Sequence, residues 1–243
     1  ALEDPVQRTQ LVRSILLGKL ANSKLFLMRQ RRERPGREAE ITPAIERLTE
    51  AARRVQDCPS VDSMRALEGV AAAAYFSAMP AMLDGSKFQF SGRNRRPPED
   101  PVNAVLSFLY TLLKNDVQSA LEGVGLDPAA GFLHTLRPGR PALALDLMEE
   151  LRACMADRFV LTIVNNRVLK ASDFVFRESG AVLLTDEGRR TFLRRWQERK
   201  YETITHPFLE EKLPWGLVPY VQSLLLARYL RGDLDDYPPF LWK

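Results

Sequence analysis

Apolar residues recur three and four positions apart along most of the chain, so the elements it predicts are mainly helices. Leu11, Val12, Ile15, Leu16 and Leu20 set the first, and the polar stretch before them, residues 1–8, reads as a linker. The basic run Arg29 to Arg37 predicts a loop, and Thr42-Pro43 a helix start with Thr42 as cap. Ser60 or Asp62 caps a third helix that runs to about Met79, where Pro80 stops it. A polar loop over Gly85 to Glu99 leads to Asp100-Pro101 and a long buried helix, Val102 to Leu121. Another loop spans Gly123 to Gly131, and Pro141 opens a helix from Ala142 to Met155. Phe174 to Thr185, around Ser179-Gly180, predicts a small hairpin. Helices follow over Glu187–Tyr201 and Pro219–Leu230. The tail, Asp235 to Lys243, holds two prolines and the aromatics Tyr237, Phe240 and Trp242. The fold class is therefore mainly α: a multi-helix domain over 9–234 with one hairpin near 174–185, and an extended aromatic tail over 235–243. No fixed period argues for a solenoid.

Composition changes this picture little. With 243 residues, 45% of them hydrophobic, the chain can bury a full core. A net charge of +4 is a mild basic bias, carried mostly by arginine, whose planar fork suits phosphate oxygens. Two cysteines, Cys58 and Cys154, make no disulfide scaffold and fit a reducing cytoplasm. No run approaches the ~20 apolar residues of a membrane span. P-loop, dinucleotide-binding and H-E-x-x-H patterns are all absent, and two scattered cysteines give no structural zinc site.

Three features carry chemistry. Glu68 is the lone charge in Ala66–Met79, a helix apolar on all sides and so expected to be buried, where an unpaired carboxylate costs several kcal/mol. Gly69 beside it leaves room for a close approach to the backbone. Asp146 and Glu149 are three apart and share a helix face. His134 follows Gly131-Phe132-Leu133 and precedes Arg137 and Arg140. Read singly, each has an ordinary explanation: a buried Glu–Arg pair, a solvated acidic face, a structural histidine. Read together, one imidazole and two or three carboxylates form a mixed oxygen and nitrogen set suited to Mg2+ or Mn2+, with arginines placed to hold phosphate.

The ordered segments Met64-Arg65-Ala66-Leu67-Glu68-Gly69 with Tyr75-Phe76, then Gly92 to Tyr110, Gly131-Phe132-Leu133-His134, and Leu145-Asp146-Leu147-Met148-Glu149-Glu150-Leu151-Arg152 resemble four motifs of the CRISPR adaptation integrases, the "Cas one" endonuclease family. The resemblance is strong from about Thr9 to Glu150 and looser beyond. It implies Glu68, His134 and Glu149 as metal ligands, with Asp146 as a support or an alternative ligand. It implies a Mg2+- or Mn2+-dependent enzyme that inserts short DNA duplexes into a CRISPR array, a 3′-hydroxyl attacking a phosphodiester at the repeat boundary. The implied partners are prespacer and repeat DNA, a second copy in a homodimer, a small dimeric ruler subunit and an iron–sulfur trimming nuclease. It further implies a β-rich domain ahead of the helical one, absent from this chain, which begins in the linker. Arg93, Arg95, Arg96, Arg137 and Arg140 are candidate DNA contacts, with Arg29, Arg31, Arg32 and Arg34 as a further basic surface. Tyr75 is a candidate base-stacking residue, with core packing its more ordinary reading, and Asn103 and Tyr110 are candidate supports of the site, a core role being equally open for Tyr110. The tail aromatics suit docking on a partner or on the chain's own core, and His206 reads as structural. The rival reading is a helical DNA-binding module without catalysis.

Overall fold

The computed structural model describes residues 4–84 and 88–243; Ala1 to Glu3 of the expected linker and Gly85 to Lys87 of the expected loop lie outside them. The first helix, α1, spans Pro5–Glu33. It starts inside the expected linker because Asp4 caps it, accepting from the amides of Val6 and Gln7, with Pro5 in the first turn. It also continues through half of the basic run expected to be loop. Arg29 to Glu33 are good helix formers, and nothing breaks them before Pro35-Gly36, where Gly36 adopts a φ of 91°. The chain folds back into α2, Glu38–Gln56, which begins ahead of Thr42-Pro43 and carries Pro43 inside. Ile41, Ile45, Leu48 and Val55 form its buried stripe.

Helix α3, Val61–Ser77, starts at the expected Ser60 cap, whose hydroxyl accepts from the Ser63 amide. It is not buried all round. Met64, Ala71, Ala74 and Tyr75 face inward, whereas Ala66, Gly69 and Ala73 are exposed and Val70 is 63% exposed. Nothing lies within 4 Å of where a Cβ on Gly69 would sit. A run of alanines carries no amphipathic signal, so the exposed face was not readable.

The central helix is α4, Pro101–Gly123, capped by Asp100. Val102, Val105, Leu106, Leu109, Leu113, Val117 and Leu121 are fully buried on it. The expected Ala142–Met155 helix is one longer helical run in four parts: α5 (Ala142–Met148), a 3-10 turn (Glu149–Leu151), a π-helical stretch (Arg152–Asp157) and α6 (Arg158–Asn165). Such widened turns concentrate at functional positions. The predicted hairpin is present as β1 (Phe174–Phe176) and β2 (Val182–Leu184), with Val175 opposite Leu183. Helix α7 covers Asp186–Tyr201, capped by Thr185. A second hairpin, β3 (Thr203–Thr205) with β4 (Lys212–Pro214), was not foreseen; three-residue strands are too short to show an alternation. Helix α8, Val218–Leu230, closes the helical part. The chain is thus mainly α with two small antiparallel sheets.

The tail docks on the chain's own core. Tyr237 and Phe240 are 2% and 1% exposed. Their anchor is Glu150, fully buried, whose carboxylate accepts from the Tyr237 hydroxyl (2.6 Å), Gln222 Nε2 (2.8 Å) and the Phe240 amide (3.1 Å). Asn22 on α1 completes the seam, donating to the carbonyls of Glu150 and Phe240 and accepting from the Trp242 amide. Arg29 joins it from outside, donating to the Lys243 carbonyl with its guanidinium 3.9 Å from the Trp242 ring centre. His206 is structural, as expected: buried, with its Nε2 paired to Gln222.

Burial pushes the Glu150 carboxyl up to about 7, against the pull of its three donors. Because the folded value lies above the ordinary 4.5, the native state holds an extra proton between those values. Its stabilisation is complete below pH 4.5 and is lost as pH rises through about 7. Urea unfolding at stepped pH should therefore show the wild type losing about 3 kcal/mol more than Glu150→Gln across that window; equal slopes would show Glu150 ionised throughout.

Candidate active site

The site is built around the loop that carries His134. Asp146, fully buried on α5, accepts from three successive amides: Phe132 (2.6 Å), Leu133 (2.9 Å) and His134 (2.9 Å). The loop must lie close to the start of α5 to reach it. A Cβ on Gly131 would stand 2.6 Å from the Cβ of Ala142, so only glycine fits. Arg8 on α1 and Arg65 on α3 hold the outer side of the loop by donating to the carbonyls of Phe132 and Leu133.

Asp146 also takes a fourth bond, from His134 Nδ1 at 2.6 Å. A carboxylate only accepts, so the proton sits on Nδ1 and the Nε2 lone pair is presented on the other side. Nε2 faces Glu149, 3.9 Å from its Oε1. Asp146 is therefore an orienting group for His134, and the alternative role of direct ligand is not the one its bonds support.

Glu149 stands where the helical run leaves α geometry, and is 4% exposed. Arg152 Nη2 lies 2.9 Å from its Oε1 and Lys19 Nζ 2.6 Å from its Oε2. The Lys19 contact is an ion pair without good hydrogen-bond direction, leaving Oε2 buried and short of a proper donor. Burial opposes ionisation of Glu149, yet the neighbouring cations Arg152 and Lys19 hold its carboxyl down at about 2. Glu68, on α3, also pairs with Lys19, through Oε1. Its side chain is 24% exposed rather than buried, and its cation is a lysine rather than an arginine.

The structure thus draws Glu68 and Glu149 to one ammonium and His134 to Glu149. Among the described residues, no three His, Cys, Asp or Glu side chains stand close enough to hold a metal ion between them as they are placed, with Lys19 set between Glu68 and Glu149. Sequence reading passed over Lys19. It is the only charge between Arg13 and Lys24 in the apolar run of α1, the same signal that singled out Glu68.

Asp157 was also missed. It is 2% exposed and accepts from the hydroxyls of Tyr75 (2.8 Å) and Tyr110 (2.6 Å). Tyr75 is 5% exposed, so it does not offer its ring to a DNA base as expected; it packs in the core, 5.2 Å from Phe76. Tyr110 lies under the Arg152 guanidinium at 4.9 Å and so supports the site from below.

The loop before α4 is pinned by Asn103, fully buried, which donates to the Gly92 carbonyl and accepts from the Asn94 amide and from Arg93. Arg93 is spent inside the fold, on Asn103, Ser107 and the Tyr110 ring, and is not the outward phosphate contact expected of it. Arg95, Arg96 and Arg137 are exposed and Arg140 is half-buried; none makes an ion pair among the described residues.

Comparison with known proteins gives the context of this arrangement. The sequence pattern of the family described as "CRISPR associated protein Cas1" matches residues 1–198. The chain belongs to the Cas1 family. "CRISPR-associated endonuclease Cas1 2" of Rhodospirillum rubrum is 53% identical over 242 residues, 96% of this chain and 70% of that protein. A "CRISPR-associated exonuclease Cas4/endonuclease Cas1 fusion" of Geobacter sulfurreducens is 40% identical over 244 residues, 98% of this chain and 43% of the fusion. Among solved structures, a "Casposase bound to integration product" superposes with a TM-score of 0.87 at 22% identity, covering 100% of this chain and 70% of that one. A "Cas6-RT-Cas1--Cas2 complex" does so with a TM-score of 0.83 at 23% identity, covering 100% of this chain and 26% of that one. At these identities the two structures show that the Cas1 helical fold is shared.

Replacing Asp146 by Ala should orphan two buried amides and a part-buried one at once. Each unmet donor costs roughly 1–3 kcal/mol, so urea unfolding should show a loss of at least about 3 kcal/mol. A loss well under that would mean the His134 loop is held by Arg8 and Arg65 instead.

Proposed function

We propose that the chain is the catalytic subunit of CRISPR spacer acquisition: a divalent-metal-dependent DNA integrase and endonuclease that inserts short DNA into a CRISPR array by transesterification. The observation that carries this reading is the convergence of Glu68, Glu149 and His134, with Nε2 of His134 turned into the site by Asp146. Family membership and the shared fold with a casposase support the reaction class.

The donor set fits Mg2+ or Mn2+. It offers carboxylate oxygens from two helices, one of them the underbonded Oε2 of Glu149, and a neutral imidazole nitrogen. When bound, such an ion supplies positive charge to the attacked phosphate and its leaving oxygen. The chain's residues do the rest. Asp146 keeps His134 in one tautomer and one orientation. Arg152 offsets the charge of Glu149 at Oε1 and stays in place on the Tyr110 ring. Exposed Arg95, Arg96 and Arg137, with Arg140, hold backbone phosphates. The new phosphodiester forms as the 3′-hydroxyl oxygen displaces the oxygen of the old one, so bond count is conserved and no nucleotide energy is needed.

The reading includes a second copy of the chain, a small dimeric ruler subunit and an iron–sulfur nuclease that trims the incoming DNA. The Cas1–Cas2 complex of like fold supports the second of these partners and the Cas4 fusion the third. It also places the protein in the cytoplasm. Among the described residues no helix is long and apolar enough to cross a membrane, and both cysteines are free and buried.

Strand transfer of a short duplex with Mn2+ should fall roughly 100-fold or more in Glu68→Ala and in His134→Ala, while filter binding of DNA stays close to wild type. Transfer at the wild-type rate in both would remove the site assignment, and a salt-dependent DNA shift with no joined product in the wild type would favour the binding module. The double change Arg137→Ala with Arg140→Ala should reduce the slope of log affinity against log salt by about two; an unchanged slope would take these arginines off the DNA.

A further inference from the structure

Lys19 sits in an unusual place for a lysine. Its side chain is 11% exposed, on the inward side of α1, and its ammonium lies against Glu68 Oε1 and 2.6 Å from Glu149 Oε2. These are the two carboxylates assigned above to a divalent cation. A monovalent cation that belongs to the protein therefore stands between them. It has a physical reason to be there: without it Glu149, 4% exposed, would keep Arg152 as its one cation among the described residues.

The surroundings provide a second place for the ammonium. A partly open cleft with about 40 Å³ of room, enough for one small polar group, adjoins it; Lys19 itself, Ser23, Arg152 and Asp157 line it together with apolar and aromatic side chains. The Asp157 carboxylate accepts one phenol at each oxygen, which leaves lone pairs unused. A lysine stem of four methylenes can sweep from one seat to the other about a fixed backbone, since its donors rotate freely, unlike the fork of an arginine.

We propose that Lys19 is a resident counter-ion that competes with the divalent metal for Glu68 and Glu149, and that metal entry moves its ammonium into the adjoining cleft towards Asp157. This rests on the metal reading of the site. It makes the site self-neutralised when metal-free, and makes the apparent metal affinity a difference between metal binding and displacement of the ion pair. Glu68 and Glu149 are held near each other in advance, so the fold does not wait for metal.

Mn2+ binding, followed by the loss of the free-ion EPR signal, tests this without any turnover. Lys19→Met keeps the apolar stem and removes the charge; it should bind Mn2+ roughly tenfold or more tightly than wild type, the scale of a desolvated charge pair. Its melting temperature without metal should drop, and the rise on adding Mn2+ should exceed that of wild type. Asp157→Asn weakens the second seat while Lys19 stays, and should bind Mn2+ more weakly. This variant keeps the test open if Lys19→Met does not fold. Wild-type binding that is abolished by Glu149→Gln, together with equal or weaker binding by Lys19→Met, overturns the role of Lys19 and leaves the metal reading standing. Unchanged affinity in Asp157→Asn overturns the movement towards Asp157. Absence of Mn2+ binding in wild type and Lys19→Met alike overturns the metal reading, and the competition with it.

Discussion

Between Asp146 and Asp157 a single helical run buries four carboxylates: Asp146, Glu149, Glu150 and Asp157. Each would cost several kcal/mol if left bare, so the rest of the molecule is arranged to supply them. Each receives a different kind of partner. Asp146 has backbone amides and an imidazole, Glu149 has cations, Glu150 has neutral side-chain and amide donors, and Asp157 has phenols. The differences separate their protonation behaviour: Glu149 is held at about 2 while Glu150, its chain neighbour, is pushed to about 7. One turn of helix thereby presents an anion to the site and a proton-holding acid to the core.

The departure from α geometry at Glu149 to Asp157 serves the same end. A regular helix through Asp146, Glu149, Glu150 and Asp157 would send the side chains to fixed angles around one axis. The 3-10 turn and the π-helical stretch alter that spacing locally; Glu149 meets α1 and the His134 loop while Glu150 meets the tail and α8. Helix α1 is the common counterpart. It brings Lys19 to one face of this segment and Asn22 to the other.

Most of the helices were legible because their caps and apolar spacing were explicit, as at Ser60 and Asp100. Errors fell where a residue type is ambiguous. Alanine fits both the inside and the outside of α3, so its solvent face was hidden, and arginines in Arg29 to Glu33 read as loop although they are good helix formers. For the site, the lone charge in an apolar run picked out Glu68, although its helix is not buried all round, and would have picked out its partner Lys19 in the same way. Pairing across 49 residues could not be seen, nor could the coupling of Asp157 to Tyr75 across 82. The choice of Asp146 as orienting group depends on three amides that no side-chain pattern encodes.

The docked tail has a bearing on how the molecule comes into being. The Phe240 amide that bonds Glu150 follows it by 90 residues in the chain. During synthesis from the N-terminus, Glu150 is made long before Tyr237 and Phe240 exist, and α1, α3 and the His134 loop are already available to it. Until the tail arrives, the acid has to keep water as its partner. The final burial of the helical turn that carries Glu149 is therefore a late event, closed by long-range contacts whose loop-closure cost falls at the end of folding. A nascent chain would carry Glu68, His134 and Glu149 while the wall behind them was still wet.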